Sequence, residues 1–84
     1  MDFTLIKRAG LTQLEFSKLA KVSRATTNMW STGKMAPHRY ISARIAAVLA
    51  TISQAINNDK LPLSPRIPKH KRLDALFELM PELK

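Results

Sequence analysis

Two helix starts that lie close together constrain the fold of this chain more than any other feature. A capping box of sequence Thr-Gln-Leu-Glu begins at Thr12, where the hydroxyl and the glutamate can satisfy first-turn amides reciprocally. Ser23 offers a second N-cap hydroxyl, and only residues 21–22 separate it from the preceding helix. Gly33 supplies a residue that can end the second helix in a left-handed conformation. Residues 10–33 are therefore predicted to form two short helices joined by a tight turn, a helix-turn-helix.

Composition limits the chain to one small domain with a polyanionic partner. A chain of 84 residues can enclose only one core, and 14 Lys and Arg against 6 Asp and Glu give a net charge of +8. The alternative use of this charge is solubility alone. The absence of cysteine excludes disulfides and thiolate metal sites. A cytoplasmic, nucleoid-associated protein is expected, because no signal peptide or long apolar segment is evident.

Hydrophobic spacing predicts an all-α fold, a small bundle of about five helices, because no segment alternates as a strand would. The predicted helices span about residues 3–9, 12–20, 24–32, 37–57 and 70–79. Asp2 is the expected N-cap of the first helix and Pro37 the expected first-turn residue of the fourth.

The fourth predicted helix is apolar nearly all round. Its core-facing stripe follows the helical period at Ile41, Ile45, Val48, Leu49, Ile52 and Ile56. The opposite side carries small residues, which either reflect helix propensity or provide a smooth surface for a partner chain: Ala43, Ala46, Ala47 and Ala50.

The helix-turn-helix pattern resembles that of the Cro and phage-repressor (XRE-like) family. The matching residues are Gly10 to Gln13, Ser17, Val22, Ser23, Trp30, Gly33, Lys34 and Pro37. The resemblance implies a lambda-repressor-like domain over residues 1–58, and a homodimeric transcription regulator, of phage or mobile-element type, that binds operator DNA without catalysis. Two departures from the family pattern, Lys21 in place of glycine and Thr27 in place of a branched aliphatic residue, predict modest stability.

The same resemblance assigns base contacts to the outward face of the second motif helix, at Arg24, Ala25, Asn28 and Met29, with Thr26 as a marginal addition. The chemistry is suitable, because an Arg fork pairs with guanine and an Asn amide pairs with adenine. Apolar side chains can contact the thymine methyl group. The alternative is an ordinary solvated helix face.

Phosphate contacts are expected at the two helix N-termini and just beyond the motif, at Gln13, Ser23, Lys34, Arg39 and Tyr40. For Lys34 and Arg39 the alternative is a surface cation without a partner. Trp30 is predicted to lie in the core, because its helical phase places it with Phe16 and Val22.

Beyond residue 58 the sequence changes character. Three prolines within residues 61–68 predict an extended connector. A final amphipathic helix follows, with an apolar face predicted to form a dimer contact: Leu73, Leu76, Phe77 and Met80. Residues 59–84 are thus interpreted as a connector and a dimerisation element.

The sequence gives little support to metal binding, catalysis or membrane binding. His38 and His70 lack neighbouring ligands, so no metal, cofactor or enzymatic activity is expected. Asp74 and Glu78 suit a solvated helix face, and they argue against a membrane-bound last helix. Two alternatives to a transcription regulator remain open. One is an excisionase-type accessory recombination factor, and the other is an antitoxin or inhibitor that binds a protein partner.

Overall fold

A computed structural model describes all residues, 1–84, and shows five α-helices and no strand. The helices are α1 (Thr4–Arg8), α2 (Gln13–Ala20), α3 (Arg24–Ser31), α4 (Arg39–Asn57) and α5 (Arg72–Leu79), with short 3-10 turns at Lys69–Lys71 and Pro81–Leu83. The all-α prediction of about five helices is confirmed. None of these helices combines the length and the apolarity that crossing a bilayer requires.

Both predicted caps of the helix-turn-helix are present. The Thr12 hydroxyl accepts from the Glu15 amide at 3.0 Å, and the Glu15 carboxylate accepts from the Thr12 amide at 2.9 Å. The Ser23 hydroxyl accepts from the Thr26 amide at 3.0 Å. Each cap satisfies donors that have no intrahelical partner, which fixes where α2 and α3 begin.

Two other helix starts differ slightly from prediction. α4 begins at Arg39, two residues after Pro37, because His38 is extended and its Nδ1 accepts from the Tyr40 amide at 3.2 Å. The imidazole therefore takes the capping role, and Pro37 lies outside the helix. α1 begins at Thr4 with Phe3 as the flanking residue, although the Asp2 carboxylate accepts from the Thr4 amide at 3.0 Å.

Gly10 fills a position that no other residue fits. Its φ of +68° is left-handed, as predicted for the end of α1. A Cβ at this position would lie 2.9 Å from Cβ of Pro62, closer than real contacts allow. The connector after α4 thus packs directly against the turn between α1 and α2.

The core of the helix-turn-helix packs on α4. Phe16 and Ile45 are completely buried, and Trp30 is buried as predicted. Thr27 is also completely buried, and its hydroxyl donates to the Ser23 carbonyl oxygen at 3.3 Å. The buried hydroxyl of Thr27 therefore has an internal hydrogen-bond partner.

The C-terminal segment completes this same core, which corrects the division of the chain at residue 58. Leu61, Leu76, Met80 and Leu83 are all buried within one hydrophobic cluster with the helix-turn-helix. The predicted dimer contact is wrong for Leu76 and Met80, because the chain's own core covers both side chains. The other two residues assigned to it, Leu73 and Phe77, are half-buried. Residues 1–58 alone are too few to enclose a large core, and the last helix supplies the missing apolar side chains.

One ion pair fastens the C-terminal segment to α2. Arg72 Nε donates to Glu15 Oε2 at 2.7 Å and Arg72 Nη2 donates to Glu15 Oε1 at 3.2 Å. Nη2 also donates to the Gly10 carbonyl oxygen at 2.8 Å. Glu15 therefore serves two structures at once, the capping box of α2 and the attachment of α5.

The conformation of Lys21 leads to a stability prediction. Lys21 adopts φ 59° and ψ 43°, a left-handed conformation that favours glycine. We expect Lys21→Gly to raise the free energy of unfolding by about 0.4 to 1 kcal/mol, because a side chain with a Cβ is strained there. Urea denaturation followed by circular dichroism measures the change. Lys18→Gly, inside α2, is the matched control and should lower stability by about 0.5 to 1 kcal/mol. A clear loss of stability in Lys21→Gly would contradict the strain argument.

The ion pair predicts a specific dependence of stability on pH. Burial alone would raise the pKa of Glu15, but hydrogen bonds from Arg72 and the Thr12 amide hold it below its ordinary value of 4.5. A carboxyl with a lowered folded-state pKa stabilises the protein fully above pH 4.5, and this contribution is lost as the pH falls through the folded-state pKa. We expect Glu15→Gln to lower the free energy of unfolding by about 1 to 2 kcal/mol at pH 7. The free energy of unfolding of this variant should then fall less steeply with decreasing pH than that of the parent protein.

Glu78→Gln is the matched control for this measurement, because Glu78 is exposed and takes part in no ion pair. Its acid denaturation profile should follow that of the parent protein. Identical profiles for Glu15→Gln and the parent between pH 7 and pH 3 would show that the pair contributes nothing to folding.

Candidate nucleic-acid interface

A left-handed residue in the turn sets the angle between α2 and α3. The amide of Val22 donates to the Ser17 carbonyl oxygen at 3.0 Å, which closes the C-terminus of α2 around Lys21. Arg44 of α4 donates to the Ala20 carbonyl oxygen at 2.7 Å and satisfies another free acceptor at that end. The turn is thereby held from both sides. Two small side chains of α2, Ser17 and Ala20, are buried in the packed interior.

The outer face of α3 carries the four predicted base-contacting residues. Arg24, Ala25 and Asn28 are exposed, and Met29 is half-buried beside them. Thr26 is also half-buried, and its hydroxyl oxygen accepts from the Ser23 hydroxyl at 2.8 Å. The structure therefore brings the four residues onto one surface, whereas Thr26 is occupied in the cap.

Arg24 stands where its charge is unfavourable for folding. It is the first residue of α3, at the positive end of the helix dipole, and the first turn contains no acidic residue. The single ion pair of the structure joins Arg72 to Glu15, so no carboxylate compensates Arg24. A cation at this position destabilises the helix slightly and is well placed for an external anion or a base edge.

Gln13 connects the two helices of the motif. Its Nε2 donates to Asn28 Oδ1 at 3.3 Å and to Ser31 Oγ at 3.0 Å. Both amide hydrogens of this predicted phosphate-contacting side chain are thus directed at α3 in the free protein. Asn28 keeps its Nδ2 group and a second lone pair on Oδ1 free, which are the groups that pairing with an adenine uses.

The remaining predicted phosphate contacts lie beyond α3 and at the start of α4. Lys34 and Arg39 are exposed, and Tyr40 is 79% exposed. The Arg39 guanidinium carbon lies 5.1 Å from the Tyr40 ring centroid, and the His38 ring stacks on the Tyr40 ring with the two centroids 4.8 Å apart. These contacts hold a cation and a phenol hydroxyl together on the surface.

Sequence reasoning missed the residues that attach the C-terminal segment to this surface. Arg72 reaches Glu15 across 57 positions of sequence, and no local pattern signals a pair at that separation. The basic run that includes Arg72, from residue 66 to residue 72, was detectable as a cluster of charge. The structure contains no group of three or more His, Asp or Glu side chains that could hold a metal ion.

Comparisons with family models, with curated proteins and with solved structures find no match to this chain.

Proposed function

We propose that the protein is a sequence-specific DNA-binding transcription regulator that inserts α3 into the major groove. The observation that supports this best is the outer face of α3, where an unpaired Arg24 stands at the N-terminus and Gln13 orients Asn28. A folded helix gains nothing from an uncompensated cation at that position. A DNA duplex supplies both the negative charge and the base edges that these side chains suit.

In this proposal each side chain of the face has a distinct role. Arg24 pairs its two donors with O6 and N7 of a guanine, and Asn28 pairs with N6 and N7 of an adenine. Gln13 fixes the Asn28 amide through the 3.3 Å hydrogen bond, so its side chain acts on the base through Asn28. Ala25 and Met29 provide apolar contact for a thymine methyl group.

Phosphate contacts position the protein on the duplex. The free amides at the N-termini of α2 and α3, near Gln13 and Ser23, point toward the DNA backbone. Three exposed residues beyond the C-terminal end of α3 contact further phosphates of the DNA backbone: Lys34, Arg39 and Tyr40.

We propose that the active form is a homodimer, because one eight-residue recognition helix buries too little surface for tight specificity. The α4 face that carries Ala43, Ala47 and Ala50 is exposed and open to a second copy. The inhibitor alternative is less well supported, since the last helix that would cover a partner uses Leu76 and Met80 in the chain's own core.

Selection of bound duplexes from a random DNA pool tests the proposal. We expect a two-fold symmetric motif whose half-sites lie about 10 base pairs apart, one turn of the double helix. Failure to enrich any sequence would overturn sequence-specific binding. An enriched motif without two-fold symmetry would overturn the dimer. Footprints at promoters support a transcription regulator, whereas footprints confined to attachment sites would show a recombination factor instead.

A further inference from the structure

The connector and the turn before α5 form a strongly basic surface beside α2. Residues 66–72, here called the basic segment, read Arg-Ile-Pro-Lys-His-Lys-Arg. Lys69 and Lys71 are exposed, and neither takes part in an ion pair. The one carboxylate that forms an ion pair with the segment is Glu15, which is engaged by Arg72 and the Thr12 amide. Asp74 follows two residues later in α5 and takes part in no ion pair. The charges of Lys69 and Lys71 are therefore not held in any ion pair.

The basic segment has a fixed position. Pro68 accepts a hydrogen bond from the Lys71 amide at 2.9 Å, and Ile67 donates its amide to the Ser64 carbonyl oxygen at 3.1 Å. Arg72 fastens the C-terminal end of the segment to Gly10 and Glu15. These contacts make the segment a rigid part of the surface, so its lysines lose little backbone entropy when they bind an anion.

The attachment places the segment at the N-terminal end of α2. Arg72 contacts Gly10, which lies two residues before the N-cap Thr12. Lys69 and Lys18 line the same cleft along the outer side of α2. Under the proposed function, this end of α2 faces a DNA phosphate. The basic segment then lies beside the phosphate that α2 contacts.

We infer that the basic segment is a second DNA-backbone clamp, in which Lys69 and Lys71 contact phosphates that flank those held by the helix-turn-helix. The inference rests on the proposed function and extends the DNA-binding surface into the C-terminal segment. The charge favours phosphate, because residues 66–72 combine clustered cations with no Asp or Glu and lie beside the amides at the N-terminus of α2. The clamp adds affinity without reading sequence.

Salt dependence of DNA binding tests the clamp. Each phosphate contact contributes about 0.9 to the slope of log K against log salt concentration. We expect Lys69→Ala to reduce the slope by about 0.9 and Lys69→Ala/Lys71→Ala by about 1.8, with equal loss of affinity for the selected operator and for unrelated DNA. Both side chains are exposed, so thermal melting should not change.

Lys60→Ala is the matched control, since it removes one exposed cation that lines a cleft with Glu78 and Glu82 at the far end of α4. Its slope should equal that of the parent protein. If the parent selects a sequence but the lysine variants keep its slope, the clamp is overturned while the proposed function stands, and an acidic protein becomes the partner to seek. If the parent binds no DNA at any salt concentration, both are overturned.

Discussion

Removal of residues 61–84 is expected to unfold the protein at 25 °C. The deletion takes away four buried side chains, Leu61, Leu76, Met80 and Leu83, and exposes the apolar surface beneath them. Each buried aliphatic side chain contributes about 1.5 to 3 kcal/mol. The total stability of a domain of this size is on the order of 5 to 10 kcal/mol. The loss therefore equals or exceeds the whole free energy of folding.

Single substitutions in α5 should lower the free energy of unfolding by smaller amounts than the deletion. Leu76→Ala should lower the free energy of unfolding by about 3 kcal/mol, because Leu76 is completely buried and its loss leaves a cavity. Leu73→Ala, on the half-buried side of α5, is the control and should cost less than about 1 kcal/mol. Urea denaturation monitored by far-ultraviolet circular dichroism measures both. A shortened chain, residues 1–60, that keeps a cooperative transition at the parent midpoint would show that the helix-turn-helix folds without α5.

Arg24→Ala is expected to abolish discrimination at one base pair of each half-site. The forked guanidinium pairs with guanine in a geometry that no other base matches, and loss of the pair costs about 1 to 3 kcal/mol against that base alone. Arg24→Lys keeps the positive charge but lacks the forked guanidinium. Compared with Arg24→Ala, it should therefore restore much of the overall DNA affinity but little of the discrimination between base pairs at that position. Competition binding to operators altered at single positions measures the effect.

Lys34→Ala separates base contact from backbone contact. It should weaken binding to every sequence by the same factor and reduce the salt slope by about 0.9. An Arg24→Ala variant that behaved in the same way, with equal loss on all sequences, would contradict direct readout of a base by Arg24.

Sequence signals within a few residues of each helix start were sufficient to predict the helix-turn-helix. Thr12 and Ser23 cap the helices that their hydroxyls predicted, because a cap depends only on residues two or three positions away. The left-handed conformation of Lys21 was expected only from the resemblance, because the Cro and phage-repressor pattern has glycine at this position. The start of α4 was predicted two residues early, because a histidine cap at His38 is a weaker sequence signal than Pro37.

The role of the last helix could not be deduced from its sequence. Spacing correctly placed Leu76 and Met80 on one apolar face, but the same spacing serves a dimer contact and an internal core equally well. The choice depends on whether the rest of the chain leaves apolar surface uncovered, which only the packed structure reveals. Arg72 was missed because its partner Glu15 lies 57 positions away. The predicted roles of Arg24 and Asn28 remain predictions.

The closure of the core by residues near the C-terminus has a consequence for the order of events during synthesis. A ribosome releases α2 and α3 well before Leu76 and Leu83, the residues that cover their core. Helices as short as α2, with eight residues, are marginal until tertiary contacts form. The nascent helix-turn-helix therefore exposes apolar surface until α5 and Leu83 have been synthesised, so the outer face of α3 reaches its final packing only after a much later segment of the chain has emerged.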